Sequence, residues 1–239
     1  MPTVLMYNQD LNRMERYELT WDSAMPYNEG RTLTLREFRG SSCSNIIWSD
    51  KRTMEAWNRT RAAFGRGIYV GFAFKRIWEG GHTGQSQHYA GTAFDVGQNL
   101  NNTGRAELRN TALQTKLWVY VEPAALTPTW VHFDRRFTPS ACAAGGYPLL
   151  REGSRGNYVL VLQDALSTLG FLGSALDGIF GPGTRSIVER FQRANGLVAD
   201  GIVGCNTWTR LTGQTTGIGP RSTTISPCLT RFIPGEPDD

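Results

Sequence analysis

Histidine is scarce in this chain of 239 residues, which contains only His82, His88 and His132. Long apolar runs are also missing, since no stretch approaches the roughly 18 apolar residues of a membrane-spanning helix. The start of the chain lacks the basic and then apolar pattern of a signal peptide, so we expect that such a segment was removed or that export uses another route. None of the four cysteines belongs to a C-x-x-C pair, which argues against a zinc ribbon or a thiol redox motif.

Charge is modest and evenly spread. The formal net charge is +4 and the pI is about 9.0. The basic residues are scattered rather than clustered, which argues against a nucleic-acid-binding protein and favours attraction to an anionic polymer such as a bacterial cell wall. With 40% hydrophobic and 19% charged residues, the composition is that of an ordinary globular protein with one large or two modest domains.

The first part of the chain alternates between helix and strand patterns. A helix is predicted from a cap at Ser49 or Asp50 to Gly65, and a second helix over 103–116. Strands are predicted over 68–74 and 92–96, and the strands 117–121 and 129–133 are expected to form a hairpin. This order predicts an α+β fold, with an antiparallel sheet and flanking helices.

An internal repeat marks the second part. The stretch Asp177-Gly178-Ile179-Phe180-Gly181 recurs as Asp200-Gly201-Ile202-Val203-Gly204, and each copy predicts a tight turn before a helix. Apolar stripes predict three helices around these turns. Small residues before the repeat have the composition of a linker. We therefore predict a domain over 1–142, a linker over 143–148, a three-helix domain over 149–213 and a loosely ordered tail over 214–239.

Two of the histidines belong to a metal-site pattern. His88 and Asp95 are seven residues apart, a spacing that spans about 10 Å on a helix and prevents both from binding one ion there. Gly91 lies between them and is suited to a bend, after which a strand would return Asp95 toward His88. His132, in another predicted strand, supplies a third donor. Three protein ligands with an open fourth position are typical of a catalytic zinc site.

Both parts of the chain resemble known families. The pattern S-x-H-x-x-G-x-A-x-D from Ser86 to Asp95, followed by a distant strand histidine, resembles the zinc D-Ala-D-Ala carboxypeptidase family, which includes vancomycin-resistance enzymes, phage endolysins and relatives of the hedgehog domain. The resemblance covers roughly 31–137 and implies that His88, Asp95 and His132 bind Zn2+. Residues 149–211 resemble the bacterial peptidoglycan-binding domain.

The sequence departs from the first family at the general base. Many members carry a glutamate three residues before the last histidine, where this chain has Thr129. Asp134 shares a strand face with His132 by alternation. Glu122 would reach the same face in only one register of the hairpin. We expect one of these two acids to act as the catalytic base, with Asp134 slightly preferred.

Other family roles also have candidates here. The family's substrate-binding arginine corresponds to Lys75 by alignment or to Arg76 by residue type. Ser86 either binds the substrate's terminal group or shapes the loop. His82 is expected to be exposed to solvent, with a substrate contact as the alternative.

The four cysteines allow three pairings, or they remain as free thiols. We favour the bridges Cys43–Cys142 and Cys205–Cys228, because each pair stays within one predicted domain.

Together, these features predict a monomeric, secreted or wall-acting zinc peptidase that cleaves peptidoglycan stem peptides, without a nucleic-acid partner or a membrane span. A wall-binding protein with a structural zinc site and a phage endolysin are the alternatives. The sequence leaves open D,D or L,D specificity, carboxypeptidase or endopeptidase action, and bacterial or phage origin.

Overall fold

The computed structural model describes residues 1–171 and 175–219. The strands in these ranges are β1 (Thr3–Asn8), β2 (Arg13–Glu18), β3 (Ile46–Asp50), β4 (Val70–Phe72), β5 (Ala93–Val96), β6 (Tyr120–Val121) and β7 (Val131–Asp134). The α-helices are α1 (Leu35–Arg39), α2 (Lys51–Phe64), α3 (Asn102–Thr115), α4 (Asn157–Thr168), α5 (Pro182–Ala194) and α6 (Cys205–Thr215). This arrangement confirms the mixed α+β class.

The strands form two sheets. One has the order β4-β5-β7-β6 and is antiparallel throughout, and it contains the predicted hairpin of β6 and β7. The other has the order β2-β1-β3, with β1 parallel to β3. The sequence reading missed this second sheet because β1 lies centrally and is buried along almost its whole length, so its side chains do not alternate between apolar and polar.

Helix α2 begins and ends where its capping residues predict. The Asp50 side chain accepts a hydrogen bond from the Thr53 amide at 2.7 Å, and Gly65 ends the helix with a φ of 71°. The helix packs near β1 and β3 and buries its apolar stripe, including Met54 and Trp57. None of the helices in the two described ranges is both long and apolar enough to cross a membrane.

The two repeat copies have the same internal structure. The buried Gln163 side chain on α4 donates to the Asp177 carboxylate at 2.8 Å and to the Ile179 carbonyl at 3.1 Å. Gln192 on α5 repeats this pattern with Asp200 at 3.0 Å and Ile202 at 2.9 Å. Each glutamine therefore fixes the Asp-Gly turn that leads into the next helix.

The two parts of the chain share a buried contact surface. Tyr147, within the predicted linker, is fully buried, and its hydroxyl donates to the Ser86 carbonyl at 2.6 Å. Its ring lies 5.0 Å from that of Trp208 on α6, measured between centroids. Arg76 forms an ion pair with Asp164 on α4, and the two side chains are 12% and 3% exposed. Polar as well as apolar contacts thus hold α4 and α6 against the first part.

The predicted disulfide pairing is wrong. Cys142 is bonded to Cys205, with their Cα atoms 4.8 Å apart, which excludes both Cys43–Cys142 and Cys205–Cys228. The reason is the docking of α6, because Trp208 donates to the Pro148 carbonyl at 2.7 Å and so brings the start of α6 beside the end of the first part. Cys228 and most of the predicted tail, from residue 220 onward, lie outside the described residues.

Candidate metal centre

A tight turn positions His88 directly before β5. The Gly91 amide donates to the His88 carbonyl at 3.1 Å, and Gly91 adopts a φ of 68°. A Cβ atom at Gly91 would lie 2.0 Å from the Trp48 carbonyl oxygen, so only glycine fits against β3. The Trp48 indole donates to the Tyr89 carbonyl at 2.9 Å, and the Ser49 hydroxyl donates to that of Gly91 at 2.7 Å. The predicted reversal at Gly91 is confirmed, and β3 holds it in place.

Strand register brings the other two ligand candidates together. Asp95 on β5 lies directly opposite His132 on β7, and Phe72 on β4 lies opposite Asp95. Side chains of directly opposed residues project from the same face of a sheet. The three strands therefore present one row of side chains toward the turn that carries His88.

His88, Asp95 and His132 form a compact group of donors. One potential ligand atom from each residue lies within 4.8 Å of the others. His88 Nε2 is 3.3 Å from Asp95 Oδ2, and His132 Nδ1 is 2.7 Å from Asp95 Oδ1. His88 is 2% exposed, and the side chains of Asp95 and His132 are each 15% exposed. Two imidazoles and one carboxylate form a donor set suited to zinc, and two of the three side chains are partly exposed.

A hydrogen bond to one nitrogen of each imidazole orients the other nitrogen toward Asp95. His88 Nδ1 lies 3.0 Å from the Ala73 carbonyl oxygen, to which it donates, so Nε2 faces Asp95. His132 Nε2 lies 3.0 Å from Asp134 Oδ2, and Nδ1 faces Asp95. Such outer hydrogen bonds fix the tautomer and ring orientation of metal-binding histidines. The residues therefore fit a zinc ion in donor type and in orientation.

The close packing of these groups changes their pKa values. Burial raises the pKa of Asp95, but hydrogen bonds from His132 and His88 outweigh it and hold that pKa well below its usual range. Burial lowers the pKa of His132, but its hydrogen bonds to Asp134 and Asp95 raise it to about 9. Two carboxylates thus flank the His132 ring, an arrangement that favours positive charge at this place.

Asp134 is fully buried, and both of its oxygens are occupied. Arg136 donates to Oδ1 through Nε at 2.8 Å and to Oδ2 through a terminal nitrogen at 2.5 Å. Burial raises the pKa of Asp134, but Arg136 and His132 together lower it. This carboxylate therefore contacts the far side of His132 and is already fully hydrogen-bonded.

The hairpin register places Glu122 on the same face as the candidate ligands Asp95 and His132. Tyr120 pairs with Asp134 and Val121 with Phe133, so Glu122 continues the ladder opposite His132. Its amide donates to the His132 carbonyl at 2.9 Å, and its side chain is half-buried. Of the two registers that the sequence left open, the structure shows the one that brings Glu122 beside the row of Asp95 and His132.

The two candidate cations lie in different surroundings. The Arg76 guanidinium donates to Asp164 at 2.8 Å and to the Ser44 hydroxyl at 3.1 Å, and it lies over the Trp48 ring. The Lys75 ammonium lies 5.7 Å from the centroid of Phe72, whose ring is 4.8 Å from that of His88. Lys75 is thus near the candidate metal centre. The described polar contacts of Arg76 instead belong to the contact surface between the two parts of the chain, here called the seam.

Ser86 and His82 complete the loop before His88. The Ser86 hydroxyl accepts a hydrogen bond from the His88 amide at 3.3 Å, a contact that shapes the turn. The His82 ring lies 4.5 Å from that of His88 and 4.4 Å from that of Phe72, and it is half-buried rather than exposed. Burial, with a smaller contribution from His88, lowers the pKa of His82 to about 4. Sequence reading missed this placement because no periodic pattern runs through the glycine-rich loop.

Comparison with known proteins identifies the second part of the chain. Residues 155–211 match the family model described as "Putative peptidoglycan binding domain". The chain contains a peptidoglycan-binding domain. Its match begins just before α4 and ends within α6, so it covers both repeat copies.

Curated relatives match over this domain region alone. The zinc D-Ala-D-Ala carboxypeptidase of Streptomyces albus G is 46% identical over 66 residues, which cover 26% of this chain and 25% of the relative. The N-acetylmuramoyl-L-alanine amidase CwlL of Bacillus licheniformis is 36% identical over 74 residues, covering 28% of this chain and 21% of the relative. The chain thus spans about a quarter or less of the length of these two relatives.

A solved structure also matches. The SleB N-terminal domain is 35% identical and has a TM-score of 0.28, with 28% of this chain and 93% of that chain covered.

Proposed function

We propose that this chain is a zinc-dependent peptidase that cleaves peptide bonds in bacterial peptidoglycan. The observation that carries the proposal is the convergence of His88, Asp95 and His132 within 4.8 Å, in a chain that also contains a peptidoglycan-binding domain. The Streptomyces relative that matches over this domain is named a zinc D-Ala-D-Ala carboxypeptidase. Its name supports the combination of a zinc peptidase with a peptidoglycan-binding domain.

In this proposal His88 Nε2, Asp95 and His132 Nδ1 hold the metal. Bound zinc would polarise a substrate carbonyl and lower the pKa of a water molecule toward about 7. Ala73 and Asp134 keep the two imidazoles aligned through the hydrogen bonds described above. We assign Asp134 to this positioning role, because Arg136 and His132 already occupy its oxygens.

Glu122 is our candidate for the general base. It lies opposite His132 in the ladder, on the face that carries the metal ligands, and it is half-buried. Glu122 would accept a proton from the attacking water and return it to the leaving amine. A base placed in this way contributes about 10² to 10⁴-fold to the rate. It would fill the role that the glutamate missing at Thr129 has in the resembled family.

Lys75 is our candidate for the substrate-binding cation. It lies beside Phe72 and the loop of His82, whereas Arg76 is bound to Asp164. An ammonium at this place would attract a carboxylate of the substrate. The Ser86 hydroxyl accepts from the His88 amide, which leaves its own O–H able to donate to the substrate's terminal group.

The peptidoglycan-binding domain would keep the enzyme on its insoluble substrate. A second contact with the same polymer raises the effective concentration of cleavable peptides near the metal centre. Activity at the wall is therefore part of the proposal, and so is location at the cell wall.

The first test is the metal content of the full chain. We expect about one zinc per chain from elemental analysis, since three protein donors converge on one point. The variant His132→Ala should lose the metal, and the matched histidine variant His82→Ala should keep it. If His132→Ala retains stoichiometric zinc, the proposed centre is wrong.

The second part of the test identifies the cleaved bond. Mass spectrometry of fragments released from purified walls would show free alanine for a carboxypeptidase, and split dimers or stem fragments for an endopeptidase. A wild-type chain that holds zinc and binds walls but releases no fragment would be a wall-binding protein with a structural metal site.

A further inference from the structure

A cleft of about 460 Å³ lies at the seam between the two parts of the chain. From the first part it is lined by Gln9, Arg52, Arg135 and Arg136, among others, and from the second part by Arg155 and Asn157. The volume is within the range of small-molecule and peptide pockets. Because residues on both sides of the seam line it, the cleft exists only when α4 is docked.

The cleft is strongly cationic. Four arginines line it, against one carboxylate, that of Asp50. Asp50 caps α2 and also accepts a hydrogen bond from the Asn157 side chain at 3.3 Å. Of the arginines, Arg136 is bound to Asp134 and Arg135 donates to the Leu117 carbonyl.

The other two arginines are available for a ligand. Arg52 and Arg155 are exposed, and within residues 1–171 and 175–219 neither guanidinium has an ion-pair partner. A guanidinium binds a carboxylate through two parallel hydrogen bonds, which makes arginine the preferred side chain for this anion. Their positions in the cleft favour a ligand with at least one carboxylate.

Two acceptors in the cleft have no donor. Gln9 Oε1 and Asn157 Oδ1 are buried and have no hydrogen-bond partner in the described part of the chain, and Asn157 is only 4% exposed. A buried acceptor without a partner is unfavourable, so it favours a ligand that supplies N–H groups. A carboxylate next to amide or amine N–H groups is the chemistry of a short acidic peptide.

We propose that this cleft binds a second stem peptide of peptidoglycan, through a free carboxylate on Arg52 and Arg155 and through N–H groups on Gln9 and Asn157. The inference rests on peptidoglycan as the substrate, as proposed above, and adds a second binding site on the same polymer. Arg136 lines the cleft and also binds the buried Asp134, which contacts His132, so one carboxylate connects the cleft lining to a proposed metal ligand. A cross-linked wall carries paired stem peptides, and the cleft would hold one of a pair.

The test measures binding of a synthetic stem tripeptide with free carboxylates to the full chain. The chain is treated with a chelator, so that the peptide is not cleaved, and calorimetry gives the Kd. Arg52→Gln and Arg155→Gln should each raise the Kd about tenfold or more, since each removes a charged hydrogen-bonding partner. Arg66→Gln is the matched control, because Arg66 pairs with Glu107 on the surface and does not line the cleft.

A tripeptide with its carboxylates amidated should bind at least tenfold more weakly than the free acid. Equal Kd values for the two peptides, or an unchanged Kd in both cleft variants, would overturn the inference, and so would no binding at millimolar peptide. Binding of glycerol phosphate without any binding of peptide would overturn it too, in favour of a phosphate polymer. Zinc content and fragment release, measured separately, decide the proposed peptidase function independently of this result.

Discussion

The two parts of the molecule position their polar side chains over very different distances in sequence. In the peptidoglycan-binding domain, Gln163 reaches Asp177 fourteen residues away and Gln192 reaches Asp200 eight residues away. In the proposed metal centre, His132 meets Asp95 across 37 residues, and the turn of His88 is held by Trp48, 41 residues before Tyr89. The first geometry is local, whereas the second depends on how strands pair.

This difference explains what sequence could resolve at each site. A repeated turn followed by a helix has the same form wherever it occurs, so the repeat alone indicates its structure. A row of side chains across strands depends on register, and a shift of one residue turns each side chain to the other face. The face of the sheet on which Glu122 lies therefore depends on the pairing of β6 with β7.

The sharpest test of this cross-strand row compares its two acids, and it has the largest expected effect. Glu122→Gln should keep zinc and lower turnover by about 10² to 10⁴-fold, because it removes the proposed base without changing its size. Asp134→Asn should instead weaken zinc binding, by about 10 to 100-fold, because Asp134 orients His132. Turnover on purified walls and zinc titration of both variants would separate the two roles.

The opposite result would make Asp134 the general base. If Asp134→Asn keeps its zinc affinity and loses turnover, while Glu122→Gln is as active as the parent, our assignment of roles is wrong. Glu107→Gln, a change to an exposed acid on α3 that pairs with Arg66, serves as the charge-matched control and should alter neither quantity.

Much of the structure could be read from the sequence where the determinants are local. A cap at Ser49 or Asp50, the reversal at Gly91, the hairpin and the three C-terminal helices are all predicted from neighbouring residues, and the structure has the cap at Asp50. The sheet around β1, the Cys142–Cys205 bridge and the docking of α4 were not, because each depends on contacts between distant segments. The ion pair between Arg76 and Asp164, 88 residues apart, belongs to this second group.

The seam between the two parts of the chain offers the next test. It joins the peptidoglycan-binding domain, whose hydrogen bonds are local, to the first part, whose contacts link distant segments. Arg76→Met should leave the buried Asp164 without its partner and lower the free energy of unfolding by about 3 to 5 kcal/mol. The double variant Arg76→Met with Asp164→Leu should recover a large share of that loss, since neither charge is then buried. Urea unfolding of the full chain measures both.

A surface pair provides the control for the seam. Arg36 binds Asp22 with side chains 63% and 79% exposed, so Arg36→Met should change the free energy of unfolding by less than about 1 kcal/mol. An equal effect of Arg36→Met and Arg76→Met would contradict the structural role of the seam. A raised KM for Arg76→Met, with the stability of the parent chain, would instead make Arg76 a substrate-binding residue.

The smallest effects are expected from the repeat, where the comparison is between two equivalent glutamines. Gln163→Ala and Gln192→Ala should each lower the free energy of unfolding by about 1 to 3 kcal/mol, because each leaves buried partners in its turn without a hydrogen bond. The exposed Gln114 on α3 is the matched control, and Gln114→Ala should stay within about 0.5 kcal/mol of the parent. Since both turns are local, zinc content should be unaffected while wall binding in pull-down assays weakens in both variants. If Gln163→Ala loses zinc and Gln192→Ala does not, the first turn supports the proposed metal centre through α4, and its effect extends beyond the local hydrogen bonds of the repeat.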